Sequence, residues 1–307
     1  MATGVIVNLL IKIAVLMAFG FLLKKIGIIT NDVQKGLNSL LVKAVLPISI
    51  FMSSQNEYSS DAAFSMVIVG IIAAGYYIVA LIISILISKK CKLNEKGRNV
   101  FITMSVFANV GFIGFPIAFE LYGAKGTLYA VIYNICYQLI FFTYGISILS
   151  GKRQMKLKML YTNPVTIASV ASVIFFLTQI KIEAGVASAL SSLGQMTVPI
   201  SMMLIGCSLA DADMKDILKD KYSYLVSALR MLIFPGIMLI ILKLLGLPEE
   251  ISGTCAILTA LPAGSLNVIY AEQYDCEPKF ASRTVVQTMV FMIVTLPILI
   301  MVIDKLL

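Results

Sequence analysis

Histidine is absent from all 307 residues, and charged side chains make up only 13% of the chain. Without histidine the commonest metal ligand is gone, and so is the side chain most suited to proton relay near neutral pH. Cysteine is sparse and odd in number, at five, and no pair has metal-ligand spacing. These cysteines read as small apolar packing residues. There is no Walker A phosphate loop, no metal-binding cluster and no G-x-S-x-G elbow. The absences argue against a metal site, a cofactor, ATP-driven chemistry and an enzyme. Low-complexity segments and linkers able to hold a soluble domain are also missing.

What is present is apolar. Hydrophobic residues reach 59%, above the roughly 45–50% of a soluble domain. They fall in stretches of about 18–25 residues, enough to cross about 30 Å of hydrocarbon as a helix. Backbone groups in lipid must bond internally, so the expected fold is an all-α polytopic bundle. The short alternating segments of a β-barrel are not seen. Ten spans can be placed, at roughly 4–23, 37–53, 62–88, 97–120, 126–150, 163–180, 186–208, 222–245, 250–271 and 280–304. The first is followed by Lys24 and Lys25 rather than preceded by a basic segment. It therefore reads as a retained span and not a cleaved signal.

The loops give the orientation. Odd-numbered loops hold sixteen Lys and Arg residues, including Lys89, Lys90, Lys92, Lys96 and Arg98 after span three; even-numbered loops hold only Lys125 and Lys181. Basic loops stay cytoplasmic, which puts both termini outside. The same asymmetry assigns the net charge of +8 to the lipid bilayer surface, and nucleic acid is not an expected partner. The expected location is the plasma (inner) membrane.

A repeat runs through the chain. Pro47-Ile48-Ser49 in span two returns as Pro199-Ile200-Ser201 in span seven, Gly111 pairs with Gly264, and Asn134 pairs with Gln287. The offsets are 152 or 153 residues. A duplicated unit of five spans has odd parity, so residues 1–153 and 154–307 are expected to be inverted repeats of one membrane domain.

Spans four and nine carry the densest chemistry. Asn109-Val110-Gly111-Phe112-Ile113-Gly114-Phe115-Pro116 and Pro262-Ala263-Gly264-Ser265-Leu266-Asn267 put glycine and proline near mid-membrane. Asn109 lies about 17 Å past Arg98 along a helix. Freed backbone there must be buried in protein or line a water-filled cavity. Unwinding is expected at about Asn109–Phe115, with a restart near Pro116, and again near Pro262–Ser265. Two half-helix N-termini would then face one centre, which favours carboxylate or phosphate groups. The competing reading is a pair of proline kinks with glycine packing contacts.

Other polar residues lie within spans. Asn134, Tyr137 and Gln138 share a face of span five, and Arg283, Thr284, Gln287 and Thr288 a face of span ten. Each stripe is either interhelical hydrogen-bond glue or cavity wall. Arg283 is either an anion partner or a snorkelling interfacial arginine. Glu120 and Arg230 are candidates for ion or proton coupling, with an outer-surface position as the alternative for Glu120. Lys12 and Lys43 either pair internally or face a groove between subunits.

These motifs together resemble the auxin efflux carrier family, which includes plant PIN carriers and bacterial malate- or malonate-permease-like members. The resemblance lies in Asn109–Pro116, in Leu261–Tyr274, in Leu46-Pro47 and in the Leu193–Gly206 run, and it spans essentially the whole chain. It implies a ten-helix fold similar to bile-acid symporters and sodium–proton antiporters, with broken spans four and nine crossing. Spans 1, 2, 6 and 7 would form a scaffold, often the dimer interface, with a homodimer expected through spans 2 and 7. Spans 3–5 and 8–10 would form a transport domain that moves like an elevator. Binding positions carried over by motif are Asn109, Gly111, Pro116, Pro262, Gly264 and Asn267, and Gly114 of the same run is a further candidate. The segment between spans five and six is only about Gly151–Thr162, far shorter than in the plant carriers, so the bacterial branch is the closer likeness. The expected function is secondary transport of small organic anions such as carboxylates. A membrane sensor or channel without coupled transport is the alternative.

Overall fold

The computed structural model describes residues 3–55, 60–153, 155–211 and 219–306. Helices account for nearly all of them: α1 (Thr3–Lys25), α2 (Asn31–Gln55), α3 (Ser60–Lys90), α4 (Glu95–Val106), α5 (Val110–Ser150), α6 (Pro164–Thr178), α7 (Ala184–Ala210), α8 (Lys221–Leu245), α9 (Glu249–Thr259), α10 (Ser265–Gln273) and α11 (Pro278–Leu306). A single turn at Lys158–Thr162 precedes α6. Among the described residues, six helices are long and apolar enough to cross a membrane: α2, α3, α5, α7, α8 and α11. The chain is thus an all-helical, multi-pass membrane protein.

The helix starts follow from local chemistry. Thr30, Asn94, Asn163, Glu183 and Asp220 each accept a hydrogen bond from a first-turn backbone N–H of the helix that follows, satisfying donors that the helix itself cannot. Two such N–H groups, of Gly185 and Val186, hold the Glu183 carboxyl below its ordinary range. Gly151 and Gly246 end α5 and α8 in the left-handed conformation that glycine adopts without a Cβ penalty. Gly123, with φ at +60°, turns the 41-residue α5 into two legs.

Three helices widen into a π turn immediately before a proline. The turns are Leu41–Val45, Val110–Gly114 and Leu229–Ile233, and the prolines are Pro47, Pro116 and Pro235. A proline ring collides with the carbonyl four residues back and offers it no N–H. In each case that carbonyl lies inside the π turn, so the wider turn absorbs the misfit without ending the helix.

The helices pack in two groups. In one, α1 lies along α7, and α2 packs on α6 and α7. Here glycine sets the distance: a Cβ at Gly20 would stand 2.1 Å from the Met203 carbonyl oxygen, and one at Gly206 would stand 2.0 Å from that of Met17. In the other group α3, α4, α5 and α8–α11 pack on one another. Its centre is a buried aromatic cluster in which Phe107 meets Tyr77, Tyr137 and Phe141 at ring separations of 6.1, 5.9 and 5.0 Å.

Candidate functional site

The two glycine- and proline-bearing interruptions meet. The helix breaks at Phe107–Asn109, between α4 and α5, and at Ala260–Gly264, between α9 and α10. Ala108 and Ala263 pair as an antiparallel bridge, the one β pairing among the described residues. Asn109 N donates to the Pro262 carbonyl at 2.9 Å, and Gly264 N donates to the Phe107 carbonyl at 2.9 Å. Backbone groups released by each break are thus satisfied by the other. The first break starts two residues before Asn109, because the Asn109–Phe115 region contains the π turn rather than unwound chain.

Side chains tie the crossing further. Asn109 Oδ1 accepts from Phe112 N at the start of α5, and its Nδ2 donates to Ser265 Oγ at the start of α10, both at 3.3 Å. Asn267 Nδ2 donates to the carbonyls of Phe107 and Gly264, each at 3.0 Å. Thr288 Oγ1, from α11, accepts from Ala263 N at 3.1 Å. Gly264 permits the close approach, since a Cβ there would stand 2.8 Å from the Ala108 carbonyl oxygen and force the backbone apart.

The opposite ends of the short helices converge on Arg230, which is fully buried. Its guanidinium donates to the carbonyls of Leu261 at 2.9 Å, Ser105 at 3.0 Å and Thr259 at 3.3 Å. Ser105 belongs to the last turn of α4, Thr259 ends α9, and Leu261 lies just beyond it. One cation therefore caps the negative ends of both half-helices.

A cavity of about 720 Å³ opens beside the crossing. Asn109, Gly111, Gly264 and Ser265 line its crossing wall, and Asn134, Tyr137 and Gln138 of α5 line another. The facing wall is α2, through Asn31, Gln34, Lys35, Asn38 and Lys43, with Asn163 and Ser208 nearby. Among its described lining residues are two lysines and no carboxylate. The N-terminus of α10 carries no side-chain cap; Asn267 N turns back to the Gly264 carbonyl at 3.1 Å, which leaves the N–H groups of Ser265 and Leu266 as first-turn donors. Asn134, 1% exposed, has an Nδ2 with no hydrogen-bond partner among the described residues. Gln138 Oε1 accepts from Thr166.

Of the residues expected at the site, Asn109, Gly111, Asn134, Gln138 and Gly264 line this cavity together. Gly114, Pro116, Pro262 and Asn267 lie behind it. Gly114 is pressed against Leu258 and Leu261, where a Cβ would stand 2.7 and 2.9 Å from their methyl groups. Arg283 and Gln287 are on α11 and outside the lining. Gln287 accepts from Ser227 of α8 at 3.3 Å, and Thr284 bonds Ser223 at 2.8 Å. The two polar stripes have therefore diverged, that of α5 facing the cavity and that of α11 joining helices. Glu120 pairs with Lys12 at 2.7 Å, linking α5 to α1.

The α2 wall was not among the expected site residues. Its signal is a helical face: residues 31, 34, 35, 38, 39, 42 and 43 recur at spacings of three and four, and that face carries lysine into an apolar run.

Comparison with known proteins bears on the same chain. A family model described as membrane transport protein matches residues 5–160 and 153–300. The chain is similar to an uncharacterized transporter of Methanocaldococcus jannaschii, at 21% identity over 92% of this chain and 94% of the relative. It is also similar to an uncharacterized transporter of Methanothermobacter thermautotrophicus, at 24% identity over 94% of this chain and 95% of the relative.

Proposed function

The chain belongs to the auxin efflux carrier family of membrane transport proteins, and on that premise we propose that it is a secondary transporter of small organic anions such as carboxylates. The observation that carries this reading is the composition of the cavity wall. Lys35, Lys43, the buried amide of Asn134 and the uncapped start of α10 supply positive charge and hydrogen-bond donors, with no carboxylate among the described lining. Both lysines are exposed where they line the cavity, and their charge together with these donors favours an anion over a neutral or cationic ligand. An apolar floor of Leu204, Ile205 and Met289 suits a short hydrocarbon body.

The topology supports ten spans in this reading. These are α1, α2, α3, α4 with the first leg of α5, its second leg, α6, α7, α8, α9 with α10, and α11. The break at the crossing then recurs in both five-span halves, as in inverted-repeat transporters. Loop charge supports a cytoplasmic side for the cavity end lined by Asn31, Asn163 and Ser208, with both termini outside. The group containing α1, α2, α6 and α7 serves as scaffold and as the homodimer interface through α2 and α7. The remaining group carries the crossing and the anion across by an elevator movement.

A thermal-shift screen of purified protein against organic acids, neutral analogues and amines tests the reading. Stabilisation by carboxylates at low millimolar concentration is expected. Stabilisation by amines or neutral compounds alone would overturn it.

A further inference from the structure

We propose that the crossing is a cation site whose resident cation is the guanidinium of Arg230, and that it accepts a free guanidinium ion once that side chain is removed. Three observations converge. Arg230 is fully buried, and among the described residues it has no carboxylate within ion-pairing distance. Its partners are instead three main-chain carbonyls, of Ser105, Thr259 and Leu261. These come from the C-terminal ends of two different half-helices, where unpaired carbonyls and the negative end of the dipole coincide. A buried charge is sustained only by compensating partners. Here no carboxylate contributes among the described residues; the Tyr76 hydroxyl lies beside the guanidinium, and the three hydrogen-bond acceptors are oriented carbonyls, the ligand type that unwound helices offer to bound cations.

The side chain is fixed in place. Arg230 sits within the π turn Leu229–Ile233, which Pro235 enforces two residues later. The fork of the guanidinium reaches α4 with one nitrogen and the α9 end with two; a point-like ammonium supplies the charge but only part of this geometry. It lies outside the cavity lining, so it does not touch the proposed substrate. Arg230 is thus a positioning residue. By neutralising both C-termini from behind, it holds the two N-terminal halves aimed at the cavity. With the position filled, the wild-type protein takes no added cation there.

This inference depends on the transport reading only for its uptake arm. Arg230→Ala is purified and its thermal unfolding followed with about 10 mM guanidinium chloride, far below denaturing concentrations, against equal choline chloride. The expected result is a rise of roughly 2–4 °C in the variant and none in wild type. In proteoliposomes the same ion should recover part of an uptake loss of about tenfold or more. A shift equal in both proteins, or none in either, overturns the proposal even where uptake by wild type is intact. Failure to find a transported anion leaves the thermal result standing and counts against the transport reading instead. If Arg230→Ala does not accumulate, Arg230→Lys and Arg230→Gln decide. Accumulation of the lysine variant alone supports a cation site; equal survival or equal loss of both overturns it.

Discussion

At the residue scale the cavity separates affinity from stability. The Asn134 Nδ2 is buried without a partner among the described residues, and an unmet donor of this kind costs free energy in the empty protein. Asn134→Ala should therefore change stability by less than about 1 kcal/mol while weakening anion binding by about tenfold. Calorimetric titration against unfolding measurements checks both halves of that statement. Lys43→Ala should weaken binding by a similar factor with the fold intact. Gly264→Ala should do the reverse, costing about 3 kcal/mol through the clash with the Ala108 carbonyl, a loss that a shifted unfolding midpoint reports. Asn109, Gly111 and Gly264 were legible in the sequence, because glycine, proline and asparagine at mid-membrane depth serve no ordinary span. Lys43 was visible but undecided, since nothing local distinguishes a lysine facing a cavity from one facing a subunit groove. The pairing of Glu120 with Lys12, 108 positions apart, leaves no local trace at all.

At the scale of elements the breaks support each other. A half-helix ending in hydrocarbon exposes carbonyls and N–H groups that lipid does not satisfy. The crossing resolves this by pairing Asn109 with Pro262 and Gly264 with Phe107, and by placing Arg230 on the other ends. Sequence spacing showed that both interruptions exist and lie at similar depth. It misplaced the first by two residues, because Pro116 produces a π turn rather than an unwound stretch. On the loop side, Lys96 near the start of α4 binds Asp275 after α10 at 2.8 Å. That hydrogen bond holds the Asp275 carboxyl below the usual aspartate range. A depressed carboxyl favours the folded state above its unfolded value and loses that contribution as pH falls through the folded one. The tie should therefore persist through mildly acid conditions and release only below the ordinary aspartate range. Titration of the Asp275 carboxyl by NMR, with Lys96→Ala returning it toward the ordinary value, checks the sign.

At the scale of the whole molecule, the elevator reading requires the two packing groups to move past each other. The Lys12–Glu120 pair joins them, so it must separate during each cycle. Cysteines at both positions, in a background lacking Cys91 and Cys136, should arrest uptake when bridged by a short bis-methanethiosulfonate cross-linker, which joins each thiol through a disulfide, and restore it when dithiothreitol reduces the bridge. Full uptake by the bridged protein would show that α1 and this leg of α5 keep their distance. The account as a whole rests on an organic anion being held at the crossing and carried through it. Solute counterflow in proteoliposomes tests this most directly, with a labelled carboxylate outside and the unlabelled acid inside. Transient accumulation by wild type, lost in Lys43→Ala at unchanged melting temperature and in Asn109→Ala with the lowered melting temperature that loss of its cap brings, is the predicted result. Accumulation by both variants at the wild-type rate, or no trans-stimulation by any carboxylate that stabilises the protein, would contradict it.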